Sequence, residues 1–213
     1  MEQIKTMLAP KGTSARSGYA MKPEYITIHN TANRAKGAGA VAHGSYLQGN
    51  GANKSVSYHY AVDDKIIVQI IPDTEAAWHA GDGGNGIGNR KSIGIEICEN
   101  PESNLLNATD SAAMLCAILM QQYGIALQNV VQHNHWTGKN CPNRIRKGEP
   151  YDWMTFIAKV SGFVAALQAP NTTQDGTLYT VQTGAFAQKQ NAENYVKTLR
   201  EKGVEAFITP KEG

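Results

Sequence analysis

Strict alternation of apolar and polar residues marks two segments of the chain, YITIHN (residues 25–30) and SIGIEIC (residues 92–98). A period of two is typical of β-strands that bury one face. His29 and Glu96 would lie on the faces turned away from the core, and a carboxylate there is costly unless it has a partner or a task. The residues predicted to face the core are Ile26, Ile28, Ile93, Ile95 and Ile97.

Other segments show helical spacing. Apolar residues recur with the period of a helix in residues 38–48, 109–123 and 152–167. A short strand at residues 130–131 would lead directly into His133. Strands that alternate with helices predict an α/β fold, in which a mixed central β-sheet is flanked by helices.

A β-hairpin is predicted between the first helix and the second alternating strand. SVSYHYAVDD followed by KIIVQIIP (residues 55–72) has the composition of two strands that turn at residues 63–65. Within the hairpin, Tyr58 and His59 fall on opposite faces by simple alternation. Either residue can therefore face the polar side of the sheet, but not both.

The composition of the chain changes near its end. Residues 168–178 (QAPNTTQDGTL) are rich in Pro, Asn, Thr, Gln and Gly, as linkers often are. Residues 179–213 then predict a strand, a helix at residues 188–202 and a second strand, which together form a small βαβ unit. The predicted organisation is a domain at residues 1–167, the linker and this C-terminal unit.

Composition excludes several classes of function. The net charge of +2 gives no reason to expect nucleic acid as a partner. No segment approaches the roughly 20 apolar residues of a membrane span. The three cysteines show no disulfide spacing, so Cys98 and Cys116 are expected to be reduced core thiols. Residues 1–12 lack an apolar core of secretory length, so we expect synthesis in the cytoplasm without a signal peptide.

Residues 132–142 (QHNHWTGKNCP) contain the strongest chemical pattern. His133 and Cys141 are ligands of the kind that Zn²⁺ prefers, and the turn residues between them let both reach one ion. The pair is weak evidence by itself, because histidine and cysteine often fall this close by chance. His29 is the best candidate for a third ligand. Three protein ligands leave the fourth position for water, which is the arrangement of a catalytic zinc.

Two charged residues complement this pattern. Glu96 is a candidate base for the attacking water, and Lys139 would place a positive charge where an oxyanion develops. Trp78 and His79 open a glycine-rich stretch that is either a flexible connector or the wall of a groove for an extended glycan-peptide. We predict that both residues contact the substrate. The alternative for His79 is that it does not contact substrate but lies behind the metal ligands, hydrogen-bonded to the loop.

Five blocks of the sequence together resemble a known family. The blocks are HNTA (29–32), SYHY (57–60), WHAG (78–81), GNRKSIGIEIC (88–98) and HNHWTGKNCP (133–142). Over roughly residues 4–160 the chain resembles the zinc-dependent N-acetylmuramoyl-L-alanine amidases (amidase type 2) of phage endolysins and Bacillus-type autolysins, which share a fold with peptidoglycan recognition proteins. The C-terminal unit resembles the first half of a SPOR domain, a ferredoxin-like module that binds peptide-stripped glycan strands.

The resemblance implies a role for each site residue. The implied ligands of one Zn²⁺ per chain are His29, His133 and Cys141. Glu96 would be the catalytic carboxylate, Lys139 would stabilise the oxyanion, and Tyr58 would contact the substrate, since in some relatives the matching tyrosine assists the chemistry. The implied reaction is hydrolysis of the amide bond between MurNAc and L-alanine in bacterial peptidoglycan.

Two other functions are compatible with the same fold. One is a non-catalytic peptidoglycan-binding protein, against which the combination of Cys141, Glu96 and Lys139 argues. The other is a cytoplasmic amidase that recycles muropeptides, but close relatives of that type place an aspartate where Cys141 stands. Endolysin and autolysin are not distinguished by the sequence. Either would act on the cell wall after holin-type or other non-Sec release.

The C-terminal unit is only half of a ferredoxin-like module. Two chains can in principle each donate one half and complete a single sheet across a dimer axis. The alternative is a chain that ends early and leaves the unit as an appendage of a monomer. We therefore expect at most a weak dimer mediated by the tail.

Overall fold

The computed structural model describes residues 4–168, 188–201 and 208. The chain divides into two compact units, Met1–Ala169 and Pro170–Gly213. The described strands are β1 (Ile4–Thr6), β2 (Tyr25–Asn30), β3 (Tyr60–Val62), β4 (Ile67–Gln69), β5 (Ser92–Ile97) and β6 (Val130–Gln132). The described helices of the first unit are α1 (Ala40–Gln48), α2 (Ile87–Lys91), α3 (Leu105–Tyr123), α4 (Asn134–Thr137), α5 (Asn143–Arg146) and α6 (Trp153–Gln168).

The described strands form one mixed sheet in the order β1-β4-β3-β5-β2-β6. β3 and β4 pair antiparallel, as predicted for the hairpin, and the other pairs are parallel. The Asp63 carboxylate fixes the hairpin turn by accepting hydrogen bonds from the N–H groups of Lys65 and Ile66. A mixed sheet with helices packed on it confirms the predicted fold class.

The apolar face of the sheet packs against α3 and α6. The five isoleucines of β2 and β5 lie in this core, together with Leu115 and Cys116 of α3 and Phe156 of α6. The Asn104 side chain caps the first turn of α3, and Gly124 ends the helix with a left-handed φ of 66°. Leu115, Cys116 and Leu119 of this helix are buried, as expected for helical spacing of apolar residues, although the helix begins at Leu105 rather than at residue 109.

Two short elements differ from the prediction. β1 was not predicted, because its three residues are all exposed and show no burial pattern. α2 lies in the stretch predicted to be a glycine-rich loop, where the Asp82 carboxylate accepts hydrogen bonds from the N–H groups of Gly88 and Asn89. These two bonds hold the start of a helix, so this part of the segment is not a bare connector.

In the second unit, the described element is helix α7 (Lys189–Glu201), which agrees with the predicted helix at residues 188–202. The two predicted strands beside it, and the predicted linker after Gln168, lie outside the described residues. The half-module and the tail-mediated dimer therefore stay predictions. No helix among the described residues is long and apolar enough to cross a membrane.

Candidate functional site

His29 is brought into the site by β2. Parallel pairing with β5 places it directly beside Glu96, so the two polar residues predicted on separate strands lie on one face of the sheet. His29 is buried, and its Nδ1 lies 3.9 Å from Glu96 Oε1. The alternation seen in the sequence therefore joins an imidazole and a carboxylate that are far apart along the chain.

His133 and Cys141 approach His29 from the other neighbouring strand. β6 pairs parallel with β2 and ends at Gln132, so the next residue, His133, emerges beside His29. α4 then reverses the chain, and the Asn134 N–H donates to the Cys141 carbonyl at 3.0 Å. The ligand atoms of His29, His133 and Cys141 all lie within 4.8 Å of one another. The three predicted metal ligands are thus brought together.

Hydrogen bonds assign the proton on the His29 ring. His79 Nε2 lies 3.0 Å from the Ser92 carbonyl, which can only accept, so this nitrogen carries a proton. Burial lowers the pKa of His79 to about 3, so its ring is neutral and its Nδ1 is an acceptor. His29 Nε2, 3.0 Å away, donates to it. His29 Nδ1 is therefore an unprotonated lone pair that faces the site.

His133 presents the same ring atom to the site. Its Nδ1 lies 3.0 Å from the Nδ1 of His29, and the Ala80 backbone raises the pKa of its ring, against the larger opposite effect of burial. The two Nδ1 atoms therefore face each other across the site. Burial lowers the pKa of both rings and keeps them neutral.

These residues fit a zinc ion. Cys141 Sγ lies 3.7 Å from His29 Nδ1, beside the facing Nδ1 atoms of the two imidazoles. Two nitrogens and a sulfur are a donor set that zinc prefers. Burial raises the pKa of the Cys141 thiol to about 12, so binding of a metal would displace its proton.

Glu96 has the properties of a proton acceptor. Burial raises the pKa of its carboxyl group to about 8, although the nearby Lys139 charge opposes this shift and the Glu99 charge adds to it. Among the described residues, none makes a hydrogen bond to its buried Oε2. A carboxylate with a pKa near neutrality and an unengaged oxygen is suited to accept and return a proton.

These groups line a cleft of about 660 Å³. Lys139 is exposed and lines the cleft from the loop before Cys141. Tyr58 also lines it, and its hydroxyl makes a 2.7 Å hydrogen bond with Nδ1 of His43, another lining residue. Sequence reasoning gave His43 no part in the site, because a single histidine on a short helix carries no pattern that points to a cleft.

The hairpin alternative is resolved in favour of Tyr58. His59 is fully buried, with Nε2 bonded to the Glu75 carbonyl and Nδ1 accepting from the Gly94 N–H. β3 begins only at Tyr60. The residues before it are not in regular strand conformation, so the simple alternation assumed for them does not apply.

Trp78 does not line the cleft. Its indole Nε1 donates to the Ser14 carbonyl at 3.1 Å, and its ring packs edge-on against Tyr19 with 6.2 Å between centroids. The geometry gives no support to the predicted substrate contact, because the side chain is directed to these partners. His79 differs in another way. It lines the cleft, but it is buried and both of its ring nitrogens are bonded, to His29 and to Ser92. Its contact with substrate stays a prediction.

Asn30 is a second cleft residue that sequence reasoning missed. Alternation assigns it to the face opposite His29, which concealed it. As the last residue of β2, it lines the cleft, its backbone lowers the pKa of the Cys141 thiol against the larger effect of burial, and its side-chain oxygen accepts from the Arg144 N–H at 3.1 Å. It therefore helps to hold the loop that carries the sulfur ligand.

Comparison with known proteins agrees with this geometry. Residues 19–144 match the N-acetylmuramoyl-L-alanine amidase family, and residues 161–213 match the SPOR domain. CwlH of Bacillus subtilis (strain 168), named an N-acetylmuramoyl-L-alanine amidase, is 47% identical over 161 residues, which are 76% of this chain and 62% of CwlH. XlyA of the same strain, with the same activity in its name, is 48% identical over 153 residues, 72% of this chain and 49% of XlyA.

The chain thus spans between about half and under two thirds of the length of these curated relatives. A solved structure of the catalytic domain of XlyA superposes with a TM-score of 0.69 at 47% identity, and the match covers 74% of this chain and 99% of that domain. The family match extends over more than half of the chain and includes the residues from His29 to Cys141. This chain therefore belongs to the N-acetylmuramoyl-L-alanine amidase family.

Proposed function

We propose that the protein is a zinc-dependent N-acetylmuramoyl-L-alanine amidase, which hydrolyses the amide bond between MurNAc and the L-alanine of the stem peptide in bacterial peptidoglycan. One observation supports this most strongly: two imidazoles and a thiol offer ligand atoms within 4.8 Å of one another, in the same cleft as a carboxylate with a buried, unengaged oxygen. A protein that only binds peptidoglycan has no need for this carboxylate, which belongs to Glu96.

His29, His133 and Cys141 would hold one zinc ion per chain. When bound, zinc supplies Lewis-acid activation of water and of the scissile carbonyl. The chain supplies the orientation of the ligands. Burial favours the neutral form of both imidazoles, and both present Nδ1 to the site. A bound cation would also lower the pKa of the adjacent Glu96 carboxyl group, so that it is ionised at neutral pH.

Glu96 accepts the proton of the attacking water. Its carboxylate is fixed by its position next to His29 in the parallel pair, so its oxygens lie beside the point where water would be activated. The same group then returns the proton to the amine of L-alanine as it leaves. General acid–base catalysis of this kind contributes about 10² to 10⁴ in rate.

Lys139 and Tyr58 complete the cleft. The Lys139 ammonium faces the oxyanion that develops on the attacked carbonyl, a contribution comparable to one oxyanion-hole donor. The Tyr58 hydroxyl, ordered by its bond to His43, contacts the substrate. Burial raises the pKa of Tyr58 well above its usual range, so the hydroxyl keeps its proton and acts as a hydrogen-bonding group.

We also propose the domain organisation of a catalytic domain at residues 1–167, a linker at 168–178 and a glycan-binding SPOR-like unit at 179–213. The SPOR match and the division of the chain after residue 169 support this organisation. The site of action would be the cell wall, where an endolysin or an autolysin finds its substrate.

The products of peptidoglycan digestion test this function. With purified cell wall, we expect new N-terminal alanine and no new reducing sugar ends, and we expect chelation to stop the reaction. Release of reducing sugars instead would mean that the enzyme cuts the glycan and would contradict the proposal. A digest with the Glu96→Gln protein, prepared in the same way, controls for contaminating hydrolases.

A further inference from the structure

The segment that begins at Trp78 lies behind both imidazole ligands. The His79 ring accepts a hydrogen bond from Nε2 of His29, and the next residue, Ala80, has its backbone beside the His133 ring. Two consecutive residues of one loop therefore adjoin the two imidazole ligands. The bond to His79 requires the proton of His29 to be on Nε2, which leaves the Nδ1 of His29 free for a metal.

Asn89 holds these two residues in place. Its side-chain oxygen accepts hydrogen bonds from the backbone N–H groups of both His79 and Ala80, at 2.9 and 2.8 Å. Its side-chain nitrogen donates to the Gly83 carbonyl at 3.0 Å, and its own backbone N–H donates to Asp82. Asn89 is itself buried. One amide side chain thus joins the glycine-rich loop to both imidazole supports.

The fit around His79 is close. A Cβ atom at residue 94 would lie 2.6 Å from Cγ of the His79 ring, so only glycine leaves room for the ring against β5. The ring is fixed at its far end by the bond from its Nε2 to the Ser92 carbonyl. The imidazole therefore has one position and one tautomer, and its Nδ1 lone pair is directed at His29.

We propose that His79 and Asn89 are positioning residues for the metal. His79 fixes the tautomer and orientation of His29, and Asn89 fixes His79 and the Ala80 backbone together. This inference rests on the zinc site of the proposed function. Partners that orient metal-bound histidines in this way typically change metal affinity by about 10- to 100-fold when they are removed. The glycine-rich loop then serves the metal site, which accounts for the bonding of both ring nitrogens of His79 to protein groups.

The test compares two buried histidines beside the same strand. His79→Phe removes the acceptor for His29, while His59→Phe removes an equally buried ring that bonds to Gly94 and Glu75 and to no metal ligand. Zinc dissociation constants are measured on the full chain by competition with a chromophoric chelator, and thermal midpoints are measured without metal. We expect His79→Phe to weaken zinc binding about 10- to 100-fold. His59→Phe should leave the zinc dissociation constant within about twofold of the parent value, even if this substitution lowers the thermal midpoint more than His79→Phe does.

Asn89 provides a second pair of variants in case His79→Phe does not fold. Asn89→Asp keeps an oxygen acceptor for the two N–H groups, whereas Asn89→Ala removes it, so zinc affinity should be largely retained in the first variant and reduced in the second. The visible spectrum of the cobalt-substituted protein should shift in His79→Phe and not in His59→Phe, because only the former removes the hydrogen-bond partner of a metal ligand.

Two results would overturn the inference: parent-like zinc affinity in both His79→Phe and Asn89→Ala, or an equal loss in His59→Phe and His79→Phe, which would indicate general loosening. A parent protein that binds no zinc would instead refute the proposed function on which the inference rests. The two failures are therefore distinguishable.

Discussion

One face of strands β2 and β5 carries isoleucines, and the opposite face carries His29 and Glu96. The two faces are buried to nearly the same degree, since Ile28 is 0% and His29 is 1% exposed. On the apolar face, Ile95 and its neighbours pack against helices and need no partners. On the polar face, a buried ring nitrogen requires a hydrogen-bond partner. For Nε2 of His29 that partner is the His79 ring. Stability and chemistry should therefore be separable by substituting one face at a time.

The largest effect is expected on the polar face. Glu96→Gln keeps the size of the side chain but removes the proton acceptor, so turnover on cell wall should fall by about 10² to 10⁴ while zinc content stays at the parent level. Initial rates and metal analysis on the same preparation check both statements. Glu99→Gln is the matched control, because this neighbouring buried carboxylate pairs with Arg34 instead. Equal losses in the two variants would argue against a specific role for Glu96.

A somewhat smaller loss is expected from the loop that lies over the polar face. Lys139→Ala should lower turnover by about 10² to 10³, the contribution of one oxyanion donor, with little change in zinc affinity. Lys147→Ala, which removes a lysine of the same loop region outside the cleft lining, should leave turnover near the parent value. If the Lys139 variant keeps parent turnover, the assignment of the oxyanion donor is incorrect.

The apolar face should respond in the opposite way. Ile95→Ala creates a cavity in the core, and we expect it to lower the free energy of unfolding by about 2 to 5 kcal/mol. Zinc content and turnover per folded molecule should remain close to the parent values. Denaturant unfolding followed by circular dichroism measures the first quantity. A loss of zinc from the still-folded variant would show that the two faces are not separable.

The contrast between the faces also explains what the sequence could predict. Alternation identified the strands and the face on which His29 and Glu96 lie, because a period of two depends only on local geometry. It did not reveal that the polar face is buried. Nor did it reveal the hydrogen-bond partners of Trp78 and His79, such as Ser14 and His29, which come from distant parts of the chain. Such pairings are set by the tertiary fold and leave no pattern along the sequence.

A smaller effect concerns pH. Burial lowers the pKa of His59 to about 4, so the ring is neutral in the folded protein while the unfolded chain takes up a proton below about pH 6.5. The unfolded state then binds more protons, and this contribution to stability is lost as pH falls from about 6.5 toward 4, at up to about 1.4 kcal/mol per pH unit. Glu96, with its raised pKa, acts in the opposite direction in the metal-free protein, losing its contribution as pH rises toward about 8.

Comparison with His59→Phe isolates the contribution of His59 to the pH dependence of stability. The difference in unfolding free energy between the metal-free parent and this variant should shrink as pH falls from 7 to 5, because Glu96 and other groups are common to both proteins and cancel. Urea unfolding at several pH values measures it. A difference that stays constant with pH would show that His59 is not held neutral by burial.

The zinc content of single-cysteine variants tests the central claim most directly. Cys141 and Cys116 are both buried free thiols among the described residues, but only the first lies in the polar site. Serine is a poorer zinc ligand than cysteine. We predict one zinc per chain in the parent and in Cys116→Ser, and little or none in Cys141→Ser, which should remain folded because its domain has a core of its own. Full zinc occupancy in Cys141→Ser would contradict the account.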